Sequence, residues 1–176
     1  MPGTEPFRPL VKEVCVFCPV GGARMILTIQ QLLRETTGLH TCDMRSTKSE
    51  IVKEYPEYRI EPGFSEEDPL WDSKTRESNS GRTARFYEFL SDVFAHDENV
   101  FMSFTAHSGA ITSILEVVGH RVFALATGGV IPVLVRAKRV PGPAPKRVVD
   151  PPMEAPKCKE DPRAFVNRGT EILAKA

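Results

Sequence analysis

One stretch near the middle of the chain has the pattern of a buried strand that passes through a polar turn into a helix. It runs from Val100 to Leu115 and reads VFMSFTAHSGAITSIL. The β-type run stops at His107-Ser108-Gly109, and apolar residues then recur at helical spacing: Ile111, Ile114, Leu115 and Val118. Because α/β proteins commonly bind anions where a strand ends and a helix begins, the stretch predicts an α/β fold with an anion site beside His107.

The composition favours a single globular domain. The 176 residues are 41% hydrophobic and 26% charged, and the formal net charge is zero, so no nucleic-acid or membrane partner is indicated. No apolar run approaches the roughly 20 residues needed to cross a bilayer, and the first residues lack a secretory signal pattern. Four unevenly spaced cysteines are typical of reduced thiols. We therefore expect a cytoplasmic protein, with a nuclear location left open.

The first half of the chain contains short, punctuated segments. QLLRE (Gln31–Glu35) predicts a helical fragment that ends at Thr36-Thr37-Gly38. IVKEY predicts a short helix with Ser46 or Thr47 as its N-cap. Residues 60–80, with several Pro and Gly and the acidic run Glu66-Glu67-Asp68, predict a long loop with a solvated acidic cluster.

The second half alternates helices and strands. Five apolar residues on one face predict a helix over Gly81–His96. The strand Val100–Thr105, the helix from Ser108 to a stop at Gly119 and a second strand over Ile131–Ala137 follow, and this order predicts a mostly parallel sheet. A proline-rich tail beyond residue 140 predicts an extended, poorly ordered linker and then a short helix over Asp161–Lys175.

Three ordered motifs carry a resemblance to a known family. They are LRETTGLHTCDMRSTKS (33–49), GFSEEDPLW (63–71) and AHSGAI (106–111), the last followed by IPVLV. Together they resemble a fungal branch of the histidine phosphatase superfamily, also called phosphoglycerate-mutase-like proteins, over about residues 31–137. The resemblance implies an α/β three-layer sandwich with a mostly parallel sheet, incomplete here because the family's first strand is not found.

The resemblance also implies catalytic roles. His107 matches the family's second histidine, which stabilises the phosphoryl group in transfer. Glu35 matches the acid/base carboxylate that protonates the leaving alcohol, and the alternative that Glu35 is a solvated helix glutamate stays open.

Further residues are implied as ligands of a small phosphorylated substrate or of phosphate. Ser108 and Gly109 would supply backbone N–H groups, and Arg45 and Lys48 would contact substrate anions, although Met44 stands at a commonly basic position. No cofactor and no metal ion is implied, and the oligomeric state is left open.

The family's Arg-His-Gly nucleophile motif and its SPLxR-type phosphate-binding segment are absent from these 176 residues. None of the four histidines, His40, His96, His107 and His120, lies between Arg and Gly. Because covalent phosphoryl transfer then has no acceptor, we expect an N-terminally truncated phosphatase or phosphomutase-like protein that is inactive as given. The alternative is a non-catalytic phosphate-binding or interaction protein on the same fold.

The segment Val14–Gln30 interrupts an otherwise continuous FRPLVKE…QLLRETTG run. Its Val-Cys, Leu-Thr and terminal Gln can be read from GTATGT, CTAAC plus one base, and CAG, which match a splice donor, branch point and acceptor. We hypothesise a retained, translated intron, which sequencing of the spliced transcript would test. The predicted division is an irregular N-terminal segment (1–30), a partial phosphoglycerate-mutase-like domain (31–140) and a proline-rich linker with a short helix (141–176).

The alternative is that this segment is genuine protein. VCVFCPV is β-prone and could stand in for the missing first strand. Cys15-x-x-Cys18 with His40 and Cys42 would then supply four candidate zinc ligands, although a single CxxC with an HxC partner is a weak zinc signal.

Overall fold

A computed structural model describes residues 13–16, 27–142 and 146–155 of the chain. These residues form a mixed α/β structure with small sheets. The helices are α1 (Lys48–Glu54), α2 (Asn79–His96) and α3 (Ser108–Val117). The strands are β1 (Glu13–Val16), β2 (Leu27–Ile29), β3 (Arg59–Ile60), β4 (Thr75–Arg76), β5 (Met102–Phe104) and β6 (Met153–Glu154). No helix among the described residues has the length and apolar content that a membrane span requires.

The main sheet has the strand order β3-β2-β1-β5. Strand β1 is antiparallel to both β2 and β5, and β2 is parallel to β3, so the prediction of a mostly parallel sheet is wrong for two of the three pairings. The reason is the short connection: ten residues separate Val16 from Leu27, and parallel neighbours need a crossover of about a dozen or more. Strands β2, β3 and β5 nevertheless share one direction.

The N-terminal segment expected to be irregular contributes strands β1 and β2 to this sheet. The backbone of Glu13–Val16 lies between β2 and β5, as expected if the segment stands in for a first strand. The intron hypothesis stays a prediction. Cys18 lies outside the described residues, so the zinc alternative, which needs Cys18 as a ligand, also stays a prediction.

Local signals correctly predict the three helices. Thr47 caps α1 in a reciprocal capping box with Glu50, and Ser78 caps α2 by accepting from the N–H of Gly81. Helix α3 is followed by Gly119, whose φ of +71° is the left-handed conformation that ends many helices. The core forms where α2 packs on α3 and on Leu33, and its buried members are Leu33, Phe86, Phe89, Leu90, Val93 and Ala110.

The predicted helical fragment Gln31–Glu35 is wrong, because the segment forms a turn followed by bends. The side chain of Arg85 takes the carbonyl oxygens of Leu32, Arg34 and Glu35, at 2.5, 3.1 and 3.1 Å. These contacts hold the segment in its turn, so long-range contacts outweigh the local propensity here.

The prediction of a strand over residues 131–137 is also wrong. The segment forms no strand, and Leu134 is fully exposed. β-propensity is realised only where a neighbouring strand offers backbone partners, and β5 pairs with β1 instead.

The proline-rich tail is more ordered than predicted over its described part. Strand β6 pairs with β4, and Asp150 hydrogen-bonds to Ser78 and Ser80 at the start of α2. The predicted terminal helix Asp161–Lys175 lies outside the described residues.

Candidate functional site

The Glu35 carboxylate lies at the N-terminus of α3. Its Oε2 accepts hydrogen bonds from the backbone N–H groups of Gly109 and Ala110, at 3.0 and 3.1 Å. These N–H groups belong to the first turn of the helix, which has no intrahelical partner for them, and the helix dipole favours a negative charge there. The structure thus brings Glu35 and Gly109, which lie 74 positions apart in the chain, into contact.

Gly109 is required at this position because the carboxylate approaches the backbone closely. A Cβ atom added to Gly109 would lie 2.2 Å from Glu35 Oε1 and 2.9 Å from its Cδ. No side chain fits in that space without moving the carboxylate. Glycine therefore allows the Glu35 carboxylate to lie directly against the backbone.

His107 is the N-cap residue of α3, with extended backbone angles (φ −85°, ψ 168°). Its backbone carbonyl accepts from the N–H of Ile111 at 2.9 Å, which fixes the residue at the start of the helix. Both His107 and Ser108 are exposed. An exposed histidine therefore directly precedes the N–H groups that hold the Glu35 carboxylate.

The second oxygen of Glu35 contacts a buried polar chain. Oε1 accepts from the N–H and the hydroxyl of Thr36, at 3.0 and 3.1 Å, and lies 3.6 Å from Nη1 of Arg82. Arg82 also donates from Nη1 to Thr36 Oγ1 at 2.6 Å and from Nε to Ser113 Oγ at 3.0 Å. The alternative that Glu35 is a solvated helix glutamate is therefore wrong, since it lies outside any helix and its side chain is 22% exposed.

Arg82 and Arg85 were not singled out from the sequence. Each lies four residues before a phenylalanine of the apolar face of α2, Phe86 or Phe89, so helical spacing places both guanidinium groups on the buried side. A charged residue on a buried face must be paired, and this is the signal that could have found them.

Arg85 anchors the backbone that carries Glu35. It forms a bidentate ion pair with Glu77 at 2.8 and 2.7 Å, besides its bonds to the three carbonyl groups of the 32–35 segment. The Glu35 side chain thus extends from a fixed main chain.

Arg45 lies in a different cluster, in contact with the loop that contains Gly63–Trp71. Its Nη atoms donate to the carbonyl groups of Ser46, Ser65, Glu66 and Glu67 over 2.6–3.1 Å, and its guanidinium stacks 4.4 Å from the centre of the Phe64 ring. Burial is the main cause that lowers the pKa of Arg45, with Asp68 acting in the opposite direction. The structure does not bring Arg45 into the group formed by Glu35 and Gly109.

Lys48 begins α1, and its backbone N–H donates to the Glu66 carbonyl at 2.9 Å. The predicted anion-binding roles of Lys48 and Arg45 stay predictions. The acidic run is predicted to be solvated, and for Asp68 this prediction is wrong. Asp68 pairs with Arg34 at 2.6 Å, and its side chain is 6% exposed. Among the residues that the structure describes, no group of three or more His, Cys, Asp or Glu side chains could hold a metal ion.

Comparisons with known proteins find three fungal relatives. A stretch of 111 residues, 63% of this chain, is 59% identical to a probable phosphoglycerate mutase of Arthroderma benhamiae and covers 33% of that protein. Phosphomutase-like protein 3 of Candida albicans is 38% identical over 61% of this chain and 34% of its own length. The probable phosphoglycerate mutase PMU1 of Saccharomyces cerevisiae is 35% identical over 65% of this chain and 43% of its own length.

The chain thus spans about a third of the length of the first two relatives. No protein-family model matches it, and no solved structure matches it significantly.

Proposed function

Because this chain belongs to the histidine phosphatase superfamily, as its motifs predict and its phosphoglycerate-mutase-like fungal relatives confirm, we propose that it carries part of a phosphate-handling active site. The observation that carries the proposal is the placement of the Glu35 carboxylate on the first N–H groups of α3, beside exposed His107. The proposed ligand is inorganic phosphate or a small phosphorylated substrate. We also propose that the protein adopts the family's three-layer sandwich and that it is cytoplasmic.

The arrangement suits phosphoryl chemistry at a shared centre. Backbone N–H groups at a helix N-terminus bind phosphate oxygens, and protonated His107 would add a charge-assisted hydrogen bond from Nδ1 or Nε2. Glu35 is a carboxyl group placed to exchange a proton with the oxygen of a leaving alcohol. In a protein that also supplies the acceptor, the phosphoryl group would bond to that acceptor as the phosphorus–oxygen bond to the alcohol breaks, and the Glu35 carboxyl would give its proton to the leaving oxygen.

The chain of 176 residues contains no Arg-His-Gly sequence. We therefore propose that this polypeptide binds phosphate but does not turn over phosphate esters, because no imidazole is placed as the family's acceptor. The supporting observation is that, of the four histidines, only His107 follows a described strand and begins a helix.

A direct test combines phosphate titration with an ester assay. We expect inorganic phosphate to shift the amide NMR signals of Gly109 and Ala110, and His107→Ala to weaken phosphate binding. His96→Ala is the matched control, since His96 is an exposed histidine at the end of α2. A phosphate titration that leaves both amide signals unchanged would contradict the site.

Para-nitrophenyl phosphate then tests the proposed lack of turnover. We expect no turnover by the 176-residue chain. Clear turnover that His107→Ala abolishes would contradict the proposed lack of a nucleophile. The second candidate, a non-catalytic phosphate-binding protein, is favoured by the fact that Glu35 is engaged by two backbone N–H groups and Thr36 in this structure.

A further inference from the structure

Arg82 links the three pieces of chain that meet at the candidate site. It lies on α2, is 8% exposed, and contacts the Glu35-Thr36 segment on one side and Ser113 of α3 on the other. Its partners Thr36 and Ser113 lie 46 and 31 positions away in the sequence, and both are buried. A buried guanidinium with this set of contacts orients its neighbours as well as balancing charge.

The contacts form a chain of hydrogen bonds in a fixed order. Ser113 Oγ accepts from Arg82 Nε at 3.0 Å, which sets the plane of the guanidinium. Thr36 Oγ1 accepts from Arg82 Nη1 at 2.6 Å and donates to Glu35 Oε1 at 3.1 Å. The Thr36 hydroxyl thus accepts from Arg82 while its single hydrogen is donated to the Glu35 carboxylate, so it relays the position of Arg82 to Glu35.

We infer that Arg82 is a positioning residue, which holds the Glu35 carboxylate on the N–H groups of Gly109 and Ala110. Arg82 Nη1 is 3.6 Å from Glu35 Oε1, close enough to restrain that oxygen electrostatically while Oε2 meets the helix. The inference rests on the proposed function for its significance, because it assigns the residue that orients the proposed acid/base group. Its test uses the phosphate-free protein, so that it can fail while the phosphate site stands.

The test reads the position of Glu35 from the amide signals of Gly109 and Ala110. An N–H group that donates to a carboxylate resonates downfield, and Glu35→Gln gives the reference signature for loss of that charge. In Arg82→Gln we expect both amide protons to move upfield and to exchange with solvent about tenfold faster, as expected for loss of one charge-assisted hydrogen bond.

A conservative variant separates positioning from charge balance. Lysine keeps the positive charge but cannot bridge Ser113 and Thr36 at once, so we expect Arg82→Lys to restore stability more than it restores the two amide signals. Full restoration of both signals by lysine would overturn the inference. Arg76→Gln is the matched control, because Arg76 pairs with Asp43 at 2.6 Å on β4.

A milder variant keeps the test decisive if Arg82→Gln does not fold. Ser113→Ala removes two contacts of the Ser113 hydroxyl: it no longer accepts from Arg82 Nε, and it no longer meets the Thr83 hydroxyl. We expect the amide signals of Gly109 and Ala110 to move in the same direction by a smaller amount. Unchanged signals in folded Ser113→Ala would overturn the inference, whatever the outcome of the phosphate titration.

Discussion

Two clusters of arginine and carboxylate groups begin at adjacent residues, Arg34 and Glu35, and serve different purposes. In the loop cluster (Arg34, Arg45 and Asp68), Arg34 pairs with Asp68 and donates to the backbone carbonyl of Asp43. In the site cluster (Glu35, Thr36, Arg82, Gly109 and Ser113), the carboxylate ends on helix N–H groups beside an exposed histidine. The same residue types therefore stabilise a loop through Arg34 and form a candidate site through Glu35.

The difference teaches which charged residues a ligand can use. The Nη atoms of Arg45 are taken by backbone carbonyl groups and by Gln31 and Ser65 within the protein. In the site cluster the N–H groups of Gly109 and Ala110 are engaged by the Glu35 carboxylate, and His107 is the residue that lies exposed at the surface. The family resemblance, which implies that Arg45 binds substrate anions, does not separate these two situations.

The largest expected effect is on stability, from breaking the loop cluster. Arg34→Ala leaves Asp68 buried without its ion-pair partner, and we expect a loss of about 3–5 kcal/mol in the free energy of unfolding, measured by urea denaturation. The control is Arg76→Ala, whose partly exposed pair with Asp43 should cost about 1 kcal/mol. Equal losses in the two variants would show that the loop cluster has no special structural role.

The next largest effect separates loop support from ligand binding. Arg45→Met removes hydrogen bonds to several loop carbonyl groups, and we expect it to cost about 2–3 kcal/mol of stability. Phosphate titration of the folded variant should still shift the Gly109 and Ala110 amide signals with unchanged affinity. A clear loss of phosphate affinity would restore the sequence-based prediction that Arg45 is an anion ligand.

A smaller effect is expected from a single methyl group in the site cluster. In Gly109→Ala the new Cβ would meet Glu35 Oε1 at 2.2 Å, so the carboxylate must leave the α3 N–H groups. Overpacking costs about 1–3 kcal/mol, and the higher helix propensity of alanine returns up to about 1 kcal/mol. We expect a net loss near 1 kcal/mol in denaturation, with an upfield shift of the Ala110 amide. Gly63→Ala is a control in open space, although its φ of +79° adds strain.

Sequence reasoning predicts best where the signal is local. The cap at Thr47, the apolar face of α2 and the His107-Ser108 start of α3 each depend on residues within a few positions. Other contacts depend on partners tens of positions away in the sequence: those of Arg45 with its loop, of Arg85 with carbonyl groups and of Arg82 with Thr36. The periodicity of apolar residues cannot predict such contacts.

The same reasoning explains the two errors in predicted segments. Residues 131–137 have strand propensity but no neighbouring strand, and residues 31–35 have helix propensity but give their carbonyl groups to a side chain. Glu35 and His107 could be predicted as a pair only through the resemblance to a family.

The smallest expected effect is on the pH dependence of stability, and it also concerns the loop cluster. Burial alone would raise the pKa of Asp68, but hydrogen bonds from Arg34, Arg45 and Leu70 and the charge of Arg34 outweigh it and lower the pKa. A lowered pKa means that Asp68 contributes stability above its unfolded pKa of about 3.9, and that this contribution is lost as pH falls through the folded value.

Glu61 gives the opposite sign and serves as the internal comparison. Burial raises the pKa of Glu61, opposed by the Gln31 N–H and aided by Asp92, so its contribution to stability is largest at low pH and is lost as pH rises through its folded pKa. In urea denaturation between about pH 6 and pH 3, we expect Asp68→Asn to lose less stability on acidification than the unmodified chain, and Glu61→Gln to lose more. If Asp68→Asn lost as much stability on acidification as the unmodified chain, titration of Asp68 would not contribute to the acid response, and the support of the loop cluster would not depend on the Asp68 charge.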